Sequence, residues 1–344
     1  MGRRIGTVCG LPFPARDMQR HETRVEAFFA AGGRTCILKR NESAEFADVQ
    51  ERMPPVTEDR GPARALPGES KRGRGRMYAT AIAIAALLAV GIACGIDAIY
   101  IEPFRIQVTR YELQGNVAAP LKIADLSDVH THGMGRNERR TLQIFAEEKP
   151  DLIVVTGDCL GNGAGDYRPC ERFYQHLHAP LGVWVVRGNW ENDRPVYHER
   201  AFYAKSGVHL LVNQSEQPRP DFALIGLDDP ASGNPRLKRA MANVPAGVYK
   251  IALFHAPAYF DHIAGHVNLC IAGHTHGGQV IIPFVHPFWL PKGSGRFLAG
   301  WYEEDGTRMY VNRGLGMSDL PIRFLCRPEI TFFSIEPAGT PPSK

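Results

Sequence analysis

The chain has 344 residues, 44% hydrophobic and 22% charged, with a formal net charge of +4 at pH 7. That composition excludes a fibrous or wholly disordered chain and leaves room for a tail plus one substantial domain. Residues 1–76 carry 15 Lys and Arg against 10 Asp and Glu, and the other 268 residues carry 25 against 26, so the positive excess is N-terminal and no nucleic-acid-specific partner is indicated.

In chain order, residues 1–76 mix Arg, Pro, Gly and acidic side chains without periodicity, which predicts a disordered basic tail; a tail absent from the mature protein, with Met77 as an alternative start, fits equally. The short apolar piece RVEAFFAAGGRTCIL within it reads as a marginal helix. Residues 77–101, MYATAIAIAALLAVGIACGIDAIYI, are uncharged from Tyr78 to Ile96, about the length that crosses a bilayer as a helix. Lys and Arg at 60, 64, 71, 72, 74 and 76 precede it, against Arg105 and Arg110 after it. The positive-inside bias then predicts a single-pass anchor with the following domain extracytoplasmic. A cleaved signal peptide, giving a secreted domain, and a lipoprotein signal ending at Cys94 are the alternatives. The seven cysteines show no metal-site spacing, and Cys159, Cys170, Cys270 and Cys326 could pair only in an oxidising compartment.

From residue 121 the pattern changes to short apolar runs that end in polar or Gly-containing turns: LKIADLSDVH, DLIVVTGD, VWVVRGN, YKIALFHAP and NLCIAGHTH. Such runs predict strands buried on both faces, and GRNERRTLQIFAEEKP between the first two predicts a helix, so the domain is α/β with helices covering sheet layers. Each run stops at a residue able to bind metal: Asp128 and His130, Asp158, Asn189, His255, then His274 and His276. Singly, these are ordinary turn residues or buried histidines. Recurring at every strand end, they converge on the edge of the sheet where active sites gather. Seven oxygen and nitrogen ligands suit two divalent or transition metal ions sharing a carboxylate, with Asp158 the natural bridge. The set without thiolate suits Mn, Fe or Zn.

The motifs DVH (128–130), GD (157–158), GNWE (188–191), LFHAP (253–257) and GHTH (273–276) resemble, in order, those of the calcineurin-like metallophosphoesterases, and the wider text is similar to their membrane-linked bacterial branch. The resemblance covers residues 107–337, leaving a C-terminal tail at 338–344. It implies a four-layer α/β/β/α sandwich, here preceded by one transmembrane or signal-anchor helix. It also implies one ion on Asp128, His130, Asp158 and His276, a second on Asp158, Asn189, His255 and His274, and phosphoester hydrolysis by metal-activated water.

Where the family often has His after the Asn, this chain has Trp190, which cannot usefully protonate a leaving group. His132, two residues after His130, is the candidate replacement acid, and Glu191 a candidate orienting or catalytic carboxylate. Arg187 and Arg313 are candidate phosphate contacts. A phosphodiester or pyrophosphate substrate is expected, and the apolar stretch at 280–301, with Phe284, Phe288, Trp289, Leu290 and Phe297, suits a lipid-linked one near a membrane. A nucleotide-lipid pyrophosphate of the kind cleaved by the superfamily's UDP-diacylglucosamine hydrolases would fit, although that substrate is cytoplasmic and conflicts with the outward topology. The competing function is a membrane-anchored, non-catalytic metal-binding or scaffold protein, which Trp190 alone favours.

Overall fold

The computed structural model describes residues 71–161, 166–287, 289–318 and 320–339. The tail and its marginal helix therefore lie outside the described residues as far as residue 70. The remainder of the expected tail is already helical, because helix α1, Lys71–Ile96, begins before the apolar run and carries the basic residues in its first turns. The helical course continues through single π and 3-10 turns to Phe104, giving an apolar span, Arg74–Phe104, of 31 residues that is long enough to cross a membrane. Its Ile82 and Leu87 are 69% and 73% exposed, so it is not a core helix.

Among the described residues, twelve strands form two sheets. The first contains β1 (Gln107–Gly115), β2 (Leu121–Leu126), β3 (Leu152–Val155), β4 (Val183–Val185), β5 (His209–Leu210) and β12 (Glu329–Pro337), in the order β1-β12-β2-β3-β4-β5. The second contains β6 (Gln214–Arg219), β7 (Phe222–Gly226), β8 (Tyr249–Leu253), β9 (Leu269–Ala272), β10 (Gly300–Glu304) and β11 (Thr307–Val311), in the order β10-β11-β9-β8-β7-β6. Within each sheet the neighbours β2-β3-β4-β5 and β7-β8-β9-β11 run parallel. Their loops thus leave from the same edge.

Alternation assigns each side chain to a layer. Along β2 and β3, Ala124, Leu126, Ile153 and Val155 face the helices α2 (Arg136–Glu148), α3 (Arg168–Tyr174) and, after the short helix α4 (Asn189–Asp193), α5 (Glu199–Lys205), through Ile144, Phe145, Phe173 and Tyr203. Leu121, Ile123, Leu152 and Val154 face the other way, onto Leu224, Ile251 and Leu269 of the second sheet. The far side of that sheet packs Ile225, Ala252 and Cys270 against Ala240 and Phe260 of the short helices α6 (Leu237–Ala240) and α7 (Phe260–Ile263). Layers therefore run helix, sheet, sheet, helix, as the motifs imply. Burying one such aliphatic side chain is worth about 1.5–3 kcal/mol, and a one-residue slip would exchange the two faces of a strand, so register is tightly held. Cys159, Cys170, Cys270 and Cys326 are buried free thiols that act as packing groups.

Candidate metal centre

The site is built from turns that leave the carboxyl ends of strands in both sheets. Five of the seven expected ligands lie in the left-handed region: Asp128 at φ 48°, His130 at 44°, Asp158 at 52°, His274 at 74° and His276 at 51°. Residues with a Cβ avoid that region, which costs of order 1–3 kcal/mol each and persists only where the surroundings enforce it. Backbone hydrogen bonds supply that enforcement. Asp128 N donates to Gly157 O (3.1 Å), His130 N to Asp158 O (3.0 Å), Leu315 N to Ser127 O (2.9 Å) and Gly316 N to Asp128 O (2.7 Å). The turns also pass so close that only glycine fits: a Cβ at Gly273 would meet Asp128 Oδ2 at 2.5 Å and Ser127 Cβ at 2.7 Å.

Donor atoms converge in two overlapping groups, Asp128 with His130 and His276, and Asp128 with Asp158 and His255. His276 Nε2 is 3.3 Å from Asp128 Oδ1, and His255 Nε2 is 3.9 Å from that same oxygen and 3.2 Å from Asp158 Oδ2. His130 Nε2 lies 3.8 Å from Asp158 Oδ2, and Asn189 Oδ1 is 3.2 Å from His255 Nε2. The carboxylate common to both groups is Asp128, whereas the sequence points to Asp158; Asp158 Oδ2 nonetheless faces one histidine from each group. His274 stands outside both groups. Its ring lies edge-on to His255 at 4.7 Å, and its Nε2 donates to Lys292 O at 2.9 Å.

The donor chemistry fits cations. His130 Nδ1 and His255 Nδ1 donate to the carbonyls of Leu160 (3.1 Å) and Thr156 (2.7 Å), which turns each Nε2 inward. His130 Nε2 then meets His276 Nε2 at 3.2 Å, and Asp128 Oδ1 is buried without a hydrogen-bond partner. A buried carboxylate oxygen without a hydrogen-bond partner is costly unless a positive ion sits beside it. Protonation differs from ring to ring across the cluster. Burial holds His276 down at about 3, while burial pulls His255 down but the Asp158 and Asp128 carboxylates pull it further up. Asp128 and Asp158 fall below the usual carboxylate range because the surrounding histidines outweigh the burial that raises them.

Around this cluster, Glu191 is fully enclosed. Its Oε2 accepts from Asp158 N and Gly188 N at 2.9 Å and its Oε1 from Leu160 N at 3.0 Å, so one carboxyl fastens the β3 and β4 turns together. Burial, and then the Asp158 charge, push it up to about 7. Trp190 N donates to Asp158 Oδ1 (2.9 Å), while its indole packs edge-on against His130 at 4.6 Å and under the Arg194 guanidinium at 4.6 Å. His132 is exposed and lines a cavity of about 400 Å³ together with His130 and Met317. Arg187 is bound to Glu199, with Asn192 (3.3 Å) and Asp228 (3.5 Å) close by, and Arg313 Nε donates to Glu329 Oε2 at 3.1 Å. Both guanidinium groups thus already have carboxylate partners.

Two supporting groups escape sequence reading. Ser127 Oγ donates to Asp128 Oδ2 at 2.5 Å, and its place directly before Asp128 is the one available signal. Arg323, wholly buried, donates from Nη2 to Arg313 O (2.9 Å) and Gly314 O (3.1 Å) and from Nη1 to Cys326 O (3.2 Å), bracing the loop behind Asp128. Nothing in its local sequence marks it.

A family model described as calcineurin-like phosphoesterase matches residues 121–278. An uncharacterized metallophosphoesterase of Bacillus subtilis (strain 168), YkuE, is 31% identical over 261 residues, spanning 69% of this chain and 88% of that protein. An uncharacterized metallophosphoesterase of Aquifex aeolicus (strain VF5) is 25% identical over 259 residues, spanning 70% and 95%. The phosphodiesterase YaeI of Escherichia coli (strain K12) is 29% identical over 251 residues, spanning 69% and 90%.

Proposed function

The chain belongs to the calcineurin-like phosphoesterase family, a family of metal-dependent phosphoesterases, and from that premise we propose that it cleaves phosphodiester or pyrophosphate bonds, in a lipid-linked substrate, at a two-metal centre. The observation that carries this reading is the inward convergence of Asp128, Asp158, His130, His255 and His276 around a carboxylate oxygen with no other partner. Asp128, His130, Asp158 and His276 would hold one ion, and Asp158, Asn189, His255 and His274 the other, with Asp128 close enough to both groups to share the bridging role. Bound there, Mn, Fe or Zn would draw charge from the phosphoryl oxygens and acidify a water.

The protein's own groups hold and orient. Glu191 is a positioning residue, since all its hydrogen bonds go to the backbone of the turns that present Asp158 and Asn189. His132, free in the adjoining cavity, would hand a proton to the leaving oxygen, the role Trp190 cannot take. Arg187 and Arg313 would reach phosphate only by leaving their carboxylates. The name phosphodiesterase carried by the Escherichia coli relative supports the diester over the pyrophosphate.

The test is metal analysis of the purified full chain together with hydrolysis of bis-p-nitrophenyl phosphate with added Mn. Two ions per chain and turnover are expected, and Asp158→Asn should lower kcat/KM by about 10³-fold, the scale expected when a group stabilising transition-state charge is removed. A folded sample holding two ions without turnover would instead favour the non-catalytic, membrane-anchored binding role. For placement, the reading is a chain anchored by Arg74–Phe104 with the domain outside. External protease should digest a C-terminal tag in intact spheroplasts, and a protected tag would reverse the orientation.

A further inference from the structure

The segment that leaves the apolar helix is fastened to the rim of the metal centre. Arg323 N donates to Ala98 O at 2.9 Å, and Cys326 N donates to Glu102 Oε1 at 2.5 Å. The strand of loop so held is in turn laced to the segment following the metal histidines: Phe324 N to Gln279 O (3.0 Å), Ile281 N to Phe324 O (2.9 Å) and Gln279 Nε2 to Leu320 O (2.6 Å). Between these two laced segments lies a cavity of about 420 Å³, with His276 as one wall and Val280, Trp289, Leu320 and Ile322 among the others. A cavity of this size accepts a small ligand, and here its walls are mostly apolar, with Thr275, Gln279 and Ser318 as polar members beside His276.

Among the described residues of the domain, the same two segments carry all the exposed large apolar side chains but Tyr197. Phe284 is fully exposed, Trp289 is 64%, Leu320 61% and Leu325 55% exposed. Phe297, from the same stretch of sequence, packs instead against Phe260 and Tyr302 in the core. At the end of the connector Arg105, Arg136 and Arg139 line a second cavity, with the Arg136 guanidinium over the Phe104 ring at 5.0 Å. Cations beside an apolar rim, at the point where a bilayer-length helix ends, match the headgroup and acyl levels of a lipid surface.

We infer that the cavity beside His276 takes the hydrocarbon chain of a phosphoester resident in the bilayer that holds the apolar helix, so that the metal centre draws its substrate directly from that membrane surface. The inference rests on the phosphoesterase reading for its chemistry and on the laced connector for its geometry. A phosphate at the metal cluster and a chain between Val280, Trp289 and Leu320 are neighbours along one path. The occupant is a chain-bearing phosphoester, and a wholly soluble ester would leave that path unfilled.

The test uses the full chain in phosphatidylglycerol-containing vesicles with Mn, and two diesters that share one leaving group: methyl p-nitrophenyl phosphate and hexadecyl p-nitrophenyl phosphate. The expected result is a kcat/KM preference for the hexadecyl ester of at least tenfold, reduced at least tenfold in Leu320→Glu, a change at an exposed position that leaves the core untouched. A second measurement is independent of turnover. Vesicles with brominated acyl chains should quench tryptophan fluorescence by an amount that disappears in Trp289→Phe. No chain-length preference, a preference unaltered by Leu320→Glu, or quenching that Trp289→Phe leaves intact would overturn the inference. Quenching at Trp289 without hydrolysis of either ester would overturn the phosphoesterase reading and leave the chain subsite standing.

Discussion

Trp190 stands where a proton donor is often found in the family, and its geometry gives it other work. Its backbone N–H holds Asp158 Oδ1 and its ring fixes the edge of His130, so it stabilises two ligands in place. On the proposed phosphoesterase reading the leaving oxygen takes its proton from another group, and His132, solvent-facing in the cavity that His130 also lines, is the imidazole there that the motifs do not make a candidate ligand. General acid catalysis matters in proportion to leaving-group basicity and is worth about 10²–10⁴-fold. His132→Ala should therefore slow a diester with an alkoxide leaving group about 100-fold more than one with a nitrophenolate leaving group. Equal slowing of both, measured as kcat/KM in paired assays, would assign His132 to the solvated loop instead.

The end of α2, which is tied to two strands of the first sheet, shows how surface charge enters stability. Glu148 closes α2 and reaches Arg110 on β1, Nε at 3.0 Å, and Lys122 on β2, Nζ at 2.6 Å. The Arg110 hydrogen bond, with Lys122 after it, holds the Glu148 carboxyl below the usual carboxylate range. A depressed folded pKa means that the clasp stabilises fully above the unfolded value and is lost as pH falls through the lower, folded one. Glu148→Gln should thus lower the guanidinium unfolding midpoint at pH 7 and lower it less near pH 3. Identical losses at both values, measured on chelator-treated protein so that metal release does not intervene, would show that the charge is immaterial. Arg110 is 58% exposed, so added salt should shrink the pH 7 difference.

The same elements show which parts of the fold are legible before any coordinates. β2, β3, β8 and β9 are buried on both faces and read as unbroken apolar runs, and α2 carries its own boundaries, with Lys149 at φ 50° closing it just before Pro150. β1 and β6 escape notice because they are sheet-edge strands with half their side chains in water, and QSEQPR has no apolar signal at all. β12 is long and buried, yet it pairs antiparallel with β2 more than 200 residues away, a partner that local pattern cannot name. At the site, ligand types were legible because chemistry restricts them to Asp, Asn and His at strand ends. The carbonyls of Thr156, Leu160 and Lys292 that set the histidine tautomers were not, since every residue has one.

Across the whole molecule the candidate ligands are divided between the sheets. Asp128, His130, Asp158 and Asn189 follow strands of the first, and His255, His274 and His276 follow strands of the second. The sheets otherwise meet through the apolar layer of Ile123, Val154, Leu224 and Ile251, while at the site's edge the carboxylates of Asp128 and Asp158 lie beside one another and His130 of the first sheet's turns meets His276 of the second's. Ions at that edge would clamp the two sheets together, and because an unfolded chain cannot present the seven groups together, their binding would be linked to folding. At a free metal concentration of about 100 times Kd, one site adds roughly 2.7 kcal/mol, and for a domain of this size each kcal/mol moves Tm by about 2–4 °C. Adding Mn to the chelator-treated full chain should therefore raise its Tm by about 5–10 °C. Asp158→Asn should remove most of the rise, because the change replaces a carboxylate that faces histidines from both sheets. A Tm that ignores metal in the wild-type chain would mean that the two sheets are held by their apolar layer alone and that the convergence of donors has no part in folding.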